Sequence, residues 1–185
     1  MFVSSVVRAV VAVTLVGCAF PALAADDWHS VRSSNGKASV LFPVVPSNVK
    51  ELKTHTPGGT IVTRVAEYQD KGIILTISDT KLPRLVEAFG GPQFVLDNSK
   101  KNVLSNAFGR EISSQALHIK GAKAALVMHY DAAHLWNEKH PGFAGLAMIA
   151  FVGSDVYVVN SMISKDTPGN EAMQEKMLKS FRVER

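Results

Sequence analysis

The residues best suited to chemistry lie close together in the second half of the chain. Three histidines and two carboxylates make up this group: His129, Asp131, His134, Glu138 and His140. Imidazole nitrogens and carboxylate oxygens are ligands that borderline divalent ions such as zinc prefer. The spacing matches no established zinc motif, and loops that bind nothing also collect polar residues. The sequence therefore predicts a solvated loop, with a divalent-metal site at His129, Asp131, His134 and His140 as the alternative.

Large apolar side chains interrupt the same polar stretch. Leu135 and Trp136 lie inside it, and Phe143 follows shortly after. Apolar groups in a polar loop either fold back onto the core or form an exposed tip that contacts a partner. Core cover is the simpler role. If the loop binds a partner, the sequence points to Leu135, Trp136 and Phe143 as the contact residues.

Nucleophilic catalysis has little support in the sequence. Ser113, Ser114, Ser154 and Ser161 all lie outside any Gly-x-Ser-x-Gly motif. A triad assembled from distant strands leaves no signature, so a hydrolase stays open as a further alternative. Carboxylate pairs at the spacing that a glycosidase needs are absent as well. We therefore expect a protein that is not an enzyme, with no catalytic residues and no cofactor.

Composition removes further classes of function. Cys18 is the only cysteine among 185 residues, so a domain that begins after it has no disulfide, zinc–thiolate site or cysteine nucleophile. The formal net charge is +4, and the basic residues are scattered, with Lys100-Lys101 as the only adjacent pair. Nucleic-acid binding needs a basic stripe or patch, so no nucleic acid is expected as a partner.

The N-terminal stretch predicts export. Arg8 is the only charge before the apolar run 9–20, and Ala22-Leu23-Ala24 has the small-x-small pattern that signal peptidase cleaves. The apolar run is too short to span a bilayer comfortably. Residues 1–24 are therefore expected to be a signal peptide, cleaved near Ala24. Residues 25–185 would then be a single domain in the periplasm or outside the cell.

A second interpretation of this stretch stays open. Leu15-Val16-Gly17-Cys18 resembles a bacterial lipobox, which would make the protein a lipoprotein anchored through Cys18. The residues after Cys18 stay apolar, whereas a lipoprotein tether is usually polar. Contact with a membrane is expected only if Cys18 carries lipid.

Two apolar runs near the C-terminus organise the predicted fold. Runs 146–152 and 156–163 flank Gly153-Ser154-Asp155, which is typical of a β-hairpin. Neither run alternates between apolar and polar residues. Such strands are expected to be covered on both faces.

Turn signals and periodicity predict the remaining elements. Residues 82–108 favour helix but are interrupted at Gly90-Gly91, so helices are expected at 92–107 and 171–181. Further strands are expected at 28–31, 38–42, 49–54, 60–68, 73–78, 110–119 and 122–130, with 49–54 at a sheet edge. The order predicts an α+β domain in which the two helices cover one largely antiparallel sheet, an α/β/α sandwich.

Short motifs along the chain resemble the PsbP-like fold group. They are Leu41-Phe42-Pro43, Pro46, Tyr68, the hairpin of Gly153 with Val156-Tyr157-Val158, and the terminal Lys179-Ser180-Phe181-Arg182. The group includes an extrinsic subunit of photosystem II, a Ran-binding nuclear transport cofactor and many exported bacterial proteins. The resemblance implies a central antiparallel sheet between helices. It also implies an accessory or binding role and carries over no catalytic residue.

These observations predict an exported envelope protein of non-enzymatic type. Its expected partner is another envelope protein or a small ligand. A periplasmic divalent-metal-binding protein that uses the loop around 129–140 is the main alternative, and a hydrolase is the lesser one.

Overall fold

The structure is a computed structural model, and it describes residues 28–56, 59–70, 72–132, 142–166 and 170–184. The strands are β1 (His29–Arg32), β2 (Ala38–Phe42), β3 (Asn48–Thr56), β4 (Gly59–Asp70), β5 (Ile73–Lys81), β6 (Gly109–Leu117), β7 (Ala124–Ala132), β8 (Phe143–Val152), β9 (Asp155–Ser164) and β10 (Arg182–Val183). The helices are α1 (Arg84–Asn106) and α2 (Asn170–Lys179). The predicted signal peptide, its cleavage site and Cys18 lie outside the described residues.

Two antiparallel sheets share these strands. The large sheet has seven strands in the order β3-β4-β5-β9-β8-β7-β6, and the small sheet has the order β1-β2-β10. The prediction of a single sheet is therefore wrong for the first two strands. Pro43 and Pro46 separate β2 from β3, and because proline cannot donate to a ladder, the chain leaves the small sheet there. The chain returns to the small sheet through β10, which pairs with β2.

The predicted hairpin occupies the centre of the large sheet. Strands β8 and β9 pair with each other, and β7 and β5 flank them. Nearly all of their residues are buried, whichever face they point to. The prediction that these strands are covered on both faces is confirmed.

The two faces of the large sheet contact different elements. On one face, here the α1 face, α1 packs on β6, β7 and β8, and Val95 and Leu96 join Met128 and Ile149 in a buried cluster. On the other, here the groove face, α2 and the small sheet contribute to a second buried cluster. Each large apolar side chain that becomes fully buried contributes about 1.5–3 kcal/mol, so both clusters stabilise the fold.

A break divides α1 near its start. Gly91 has φ 64° and ψ 169°, which is not helical, and Pro92 begins the second part of the helix. The sequence predicted this interruption at Gly90-Gly91, and it is confirmed. The second part carries the apolar stripe that contacts the α1 face. In the described part of the chain, no helix combines the length and the apolar character that crossing a membrane requires.

Candidate functional site

An open groove of about 1080 Å³ lies on the groove face, between the sheet and the C-terminal segment. Its walls combine an apolar floor with a polar rim. The apolar lining consists of Leu117, Ile119, Val127, Leu146, Met148, Leu178, Phe181 and Val183. The polar lining consists of Gln115, His118, Lys120, His129, Glu175, Lys179, Arg182 and Glu184. An apolar concavity with a few polar groups at its rim is the usual form of a ligand site.

Strand register builds the floor of this groove. Val127 on β7 lies opposite Gln115 on β6 and Met148 on β8. His129, two residues further along β7, lies opposite Leu146. Because side chains alternate across a strand, these residues share one face of the sheet. Val127 is half-buried and His129 is exposed, so both are accessible from the groove.

The wall of the groove opposite the sheet consists of α2 and the segment after it, and hydrogen bonds hold this wall in place. The amide of Gln174 on α2 donates to the carbonyl of Ala144 at 3.0 Å, and the backbone N–H of Leu41 donates to the Ser180 hydroxyl at 2.7 Å. The Arg182 guanidinium donates to the carbonyl oxygen of Lys179 at 2.7 Å. The helix and the segment after it are thus tied to both sheets by hydrogen bonds within the chain.

Charges on the rim are partly paired. Glu175 accepts a hydrogen bond from Lys179 at 2.6 Å, and this bond lowers the pKa of the Glu175 carboxyl. Glu184 accepts one from the Ser39 hydroxyl at 2.5 Å. With Lys120 and Arg182 included, the rim carries three cations and two carboxylates. Its formal balance is therefore slightly positive.

The structure places two of the four predicted metal ligands. His129 and Asp131 lie two residues apart on β7 and share the groove face. The Asp131 carboxylate lies 2.7 Å from Lys165 Nζ and 3.9 Å from Arg110 Nη2, so two cations already balance its charge. The described residues contain no group of three or more side chains that could hold a metal ion. His134 and His140 lie outside the described residues, as does Glu138, so the metal site stays a prediction.

The predicted contact residues are likewise only partly described. Leu135 and Trp136 lie outside the described residues. Phe143 is 4% exposed and belongs to the cluster on the α1 face. It therefore points away from the face that carries His129. Partner contact through Leu135 and Trp136 stays a prediction, whereas Phe143 is part of the core.

A serine, a histidine and an acid do come near one another on the groove face. Register sets Ser113 on β6 opposite His129, and Asp131 follows on the same face. A nucleophile needs a hydrogen bond to its base. Among the described residues no such bond joins Ser113 to His129, and Asp131 is held by Lys165. Ser161 is fully buried and its hydroxyl has no hydrogen-bond partner within the described chain.

A second polar cluster lies on the groove face outside the groove. Asp79 is 4% exposed, and its carboxylate accepts the backbone N–H of Ser34 at 2.7 Å. The side-chain amide of Asn35 donates to the Tyr157 hydroxyl at 3.0 Å. Burial raises the pKa of the Asp79 carboxyl, and the backbone N–H groups of Ser34 and Asn35 oppose that rise. This cluster fixes the β1–β2 turn onto the large sheet.

The sequence pointed to one groove residue, His129, and missed the others. Val127, Met148 and Leu178 resemble ordinary core residues when only their types are visible. The alternation along 110–119 and 122–130 could have shown which residues share a face. The sequence predicted that the helix at 171–181 covers the sheet, but it did not show that this helix lies against β9 and β2 and so forms the opposite wall of the groove.

Comparison with solved structures identifies the architecture. Cyanobacterial PsbP from Synechocystis (CyanoP) superposes with a TM-score of 0.52 at 12% sequence identity, over 84% of this chain and 92% of that one. The fold is PsbP-like. At this identity the similarity shows the fold alone, and the PsbP-like resemblance seen in the sequence is confirmed at that level.

Two further structures are more distant. A protein from Bacteroides thetaiotaomicron matches with a TM-score of 0.40 at 14% identity, over 84% of this chain and 48% of that one. A Pseudomonas aeruginosa protein of unknown function matches with a TM-score of 0.40 at 12% identity, over 85% and 97%. No protein-family model matches the chain. No curated protein matches it either.

Proposed function

We propose that this PsbP-like chain is an exported, non-enzymatic accessory protein that binds another envelope protein or a small ligand in the groove. The observation that carries the proposal is the apolar floor of the groove, where the half-buried Val127, Leu117 and Ile119 leave apolar surface open to the groove. Apolar surface left uncovered in this way is stabilised by contact with another apolar surface.

The walls of the groove support a binding role. Gln174 and Ser180 hold the C-terminal segment in place before a ligand arrives. A preformed site loses little conformational entropy on binding, which favours affinity. On the rim, Glu175 bonds to Lys179, and Arg182 bonds to the backbone carbonyl oxygen of Lys179. That arrangement suits orientation of a ligand better than proton transfer.

We also propose that the groove arises from the way the layers of the fold cover the large sheet. We take the large sheet to be the middle layer of a sandwich, with α1 on one side and α2 with the small sheet on the other. On this view α2 covers the groove face incompletely over β6 and β7. The uncovered part of that face is the groove.

The proposal includes export of the protein from the cytoplasm. The charge of Arg8, the apolar run 9–20 and the pattern at Ala22-Leu23-Ala24 support delivery to the periplasm or the medium. Anchoring through lipid on Cys18 is the alternative route to the same compartment.

Native mass spectrometry of the protein recovered from its own cells tests the proposal. A Val127→Lys variant places a charge and a long side chain in the floor of the groove. Val62→Lys is the matched control, because Val62 is also a half-buried valine on the groove face but lies on β4, away from the groove.

We expect a bound mass or a co-purified protein with the unaltered chain and with Val62→Lys, and its loss with Val127→Lys. Circular dichroism verifies that both variants fold. The same bound species on all three proteins would contradict a groove site. A specific turnover that disappears in Ser113→Ala would contradict the non-enzymatic assignment.

A further inference from the structure

The two edges of the large sheet differ in how well they are protected. Strand β3, at one edge, carries Lys50, Glu51 and Lys53. Lys50 is paired with Glu67 at 2.7 Å, and Glu51 with Arg64 at 2.9 Å. Charged side chains along an edge oppose the addition of another strand. Strand β3 is thus a protected edge.

Strand β6, at the other edge, is protected over only half of its length. Arg110 and Glu111 lie in its first half, and a bulge interrupts the pairing between Glu111 and Ser113. From Ser113 to Leu117 the strand has no charge and no proline, and the first four of these five residues are exposed. A neutral, exposed edge strand offers its backbone groups to a further strand.

The unprotected half of β6 borders the groove. Gln115 and Leu117 belong to the edge strand and also line the groove. A strand added to β6 would direct every second side chain to the groove face, because side chains alternate along an extended chain. Its backbone would pair with β6, and its alternate side chains would meet the apolar floor.

The charges at this end of the groove favour an acidic partner. Lys120 lies in the turn just after β6, and Arg182 lies across the groove from the sheet. The two carboxylates of the rim, Glu175 and Glu184, already accept hydrogen bonds from Lys179 and Ser39. An acidic side chain near the turn would therefore find cations that these carboxylates do not fully balance.

We propose that an extended peptide segment of a partner protein adds as a strand to Ser113–Leu117, with apolar side chains at alternate positions in the groove and an acidic side chain near Lys120. Strand addition of this kind takes affinity from main-chain hydrogen bonds and specificity from pockets for alternate side chains. This inference rests on the proposed function, since it assigns an occupant to the same groove.

Selection from a displayed library of random twelve-residue peptides tests the inference. The purified protein is the bait, and the best peptide is then synthesised for binding measurements. Hydrogen–deuterium exchange of the unaltered protein, with and without that peptide, reports which backbone amides become protected. We expect protection at Ser113–Leu117 and a dissociation constant that rises with salt.

Two variants separate the edge from the groove. Ser113→Lys with Ala116→Lys adds charge to both faces of the edge without altering a residue that lines the groove. We expect the peptide to lose about tenfold or more in affinity, which corresponds to about 1.4 kcal/mol. Thr54→Lys adds a lysine to β3, at the opposite edge, and it should leave the affinity unchanged.

The outcomes distinguish this inference from the proposed function. A peptide that leaves the amides of β6 unprotected, or that binds equally well to the edge variant, overturns the inference. If that peptide is still lost with Val127→Lys, the groove remains a binding site. Failure to select any peptide also contradicts strand addition, whereas a small molecule bound in the groove would still support the proposed function. The hydrogen–deuterium exchange measurement uses only the unaltered protein, so it still tests the inference if the edge variant misfolds.

Discussion

The ring of Tyr130 lies against the backbone of Gly145, its register partner on β8. A methyl group at Gly145 would overlap three atoms of that ring, and one at Gly109 would lie 2.8 Å from a fourth. The Tyr130 hydroxyl donates to the Asn160 side-chain oxygen at 2.8 Å, and the tyrosine is fully buried. Glycines on both neighbouring strands therefore make room for a buried aromatic residue beneath α1.

Gly145→Ala tests this packing. We expect the free energy of unfolding to fall by about 1–3 kcal/mol, because the added methyl group must displace a ring that has no free space. Chemical denaturation measures the change. Gly90→Ala is the control, since the atoms closest to its new methyl group belong to the exposed ring of Phe94, which can swing away. Equal losses in the two variants would contradict the packing argument.

Tyr130 should also lower the free energy of unfolding at alkaline pH. Burial raises the pKa of Tyr130 well above its usual range, and the hydrogen bond to Asn160 opposes that rise only in part. An unfolded tyrosine ionises near pH 10, whereas the folded one keeps its proton. The unfolded state then binds fewer protons, so the free energy of unfolding falls as pH rises through about 10.

Denaturation of the unaltered protein and of Tyr130→Phe between about pH 8 and about pH 11 measures this effect. The variant loses about 1 kcal/mol at neutral pH, because Asn160 loses its hydrogen-bond partner. Its stability should then decline less steeply at alkaline pH. Identical slopes for the two proteins would show that Tyr130 is not the group responsible.

Asp79 should affect the free energy of unfolding at acidic pH. Its raised pKa means that the folded state keeps a proton that the unfolded state has lost, so this carboxyl lowers stability as pH rises upward from about 3.9. Asp79→Asn keeps an oxygen that can accept the Ser34 N–H and removes the buried charge. As pH rises above about 3.9, we expect the variant to gain stability relative to the unaltered protein.

Urea denaturation at a series of pH values isolates the contribution of Asp79. Other carboxylates, such as Glu51 and Glu111, have lowered pKa values because of hydrogen bonds to their neighbours, and they act in the opposite direction. The difference between the two proteins cancels their effect. The gain should reach up to about 1 kcal/mol, an ordinary size for one substitution. A variant that loses relative stability as pH rises would refute the assignment.

The proposed export predicts which residue begins the protein in cells. Cell fractionation followed by N-terminal sequencing should find the chain in the envelope or the medium, beginning at Ala25. A chain that begins at Cys18 and partitions into detergent would establish the lipoprotein alternative. An uncleaved chain in the cytoplasm would contradict export in either form.

Much of the fold could be predicted because its signals are local. The turn at Gly153-Ser154-Asp155, the break at Gly91 and the apolar run of β8 each depend on residues close in sequence. The sequence did not predict strand β10, because its two residues form a strand only by pairing with β2, which is far away in the chain. The separate small sheet was missed for the same reason.

The candidate site could be predicted only in part. His129 attracted attention because of its chemistry, and it does line the groove. The neighbours that make the groove apolar, such as Val127 and Met148, become recognisable only when register sets them side by side. Phe143 was grouped with the same loop, but its position in the alternation of β8 sends it to the α1 face.

Site-specific photo-crosslinking in living cells tests the proposed binding site most directly. A photoreactive amino acid replaces His129, which is exposed in the groove, or Val45, which is 59% exposed outside it. We predict one discrete adduct from position 129, absent from position 45 and lost when Val127→Lys is added. Equal adducts from both positions, or an adduct at 129 that Val127→Lys leaves intact, would contradict a binding site in this groove.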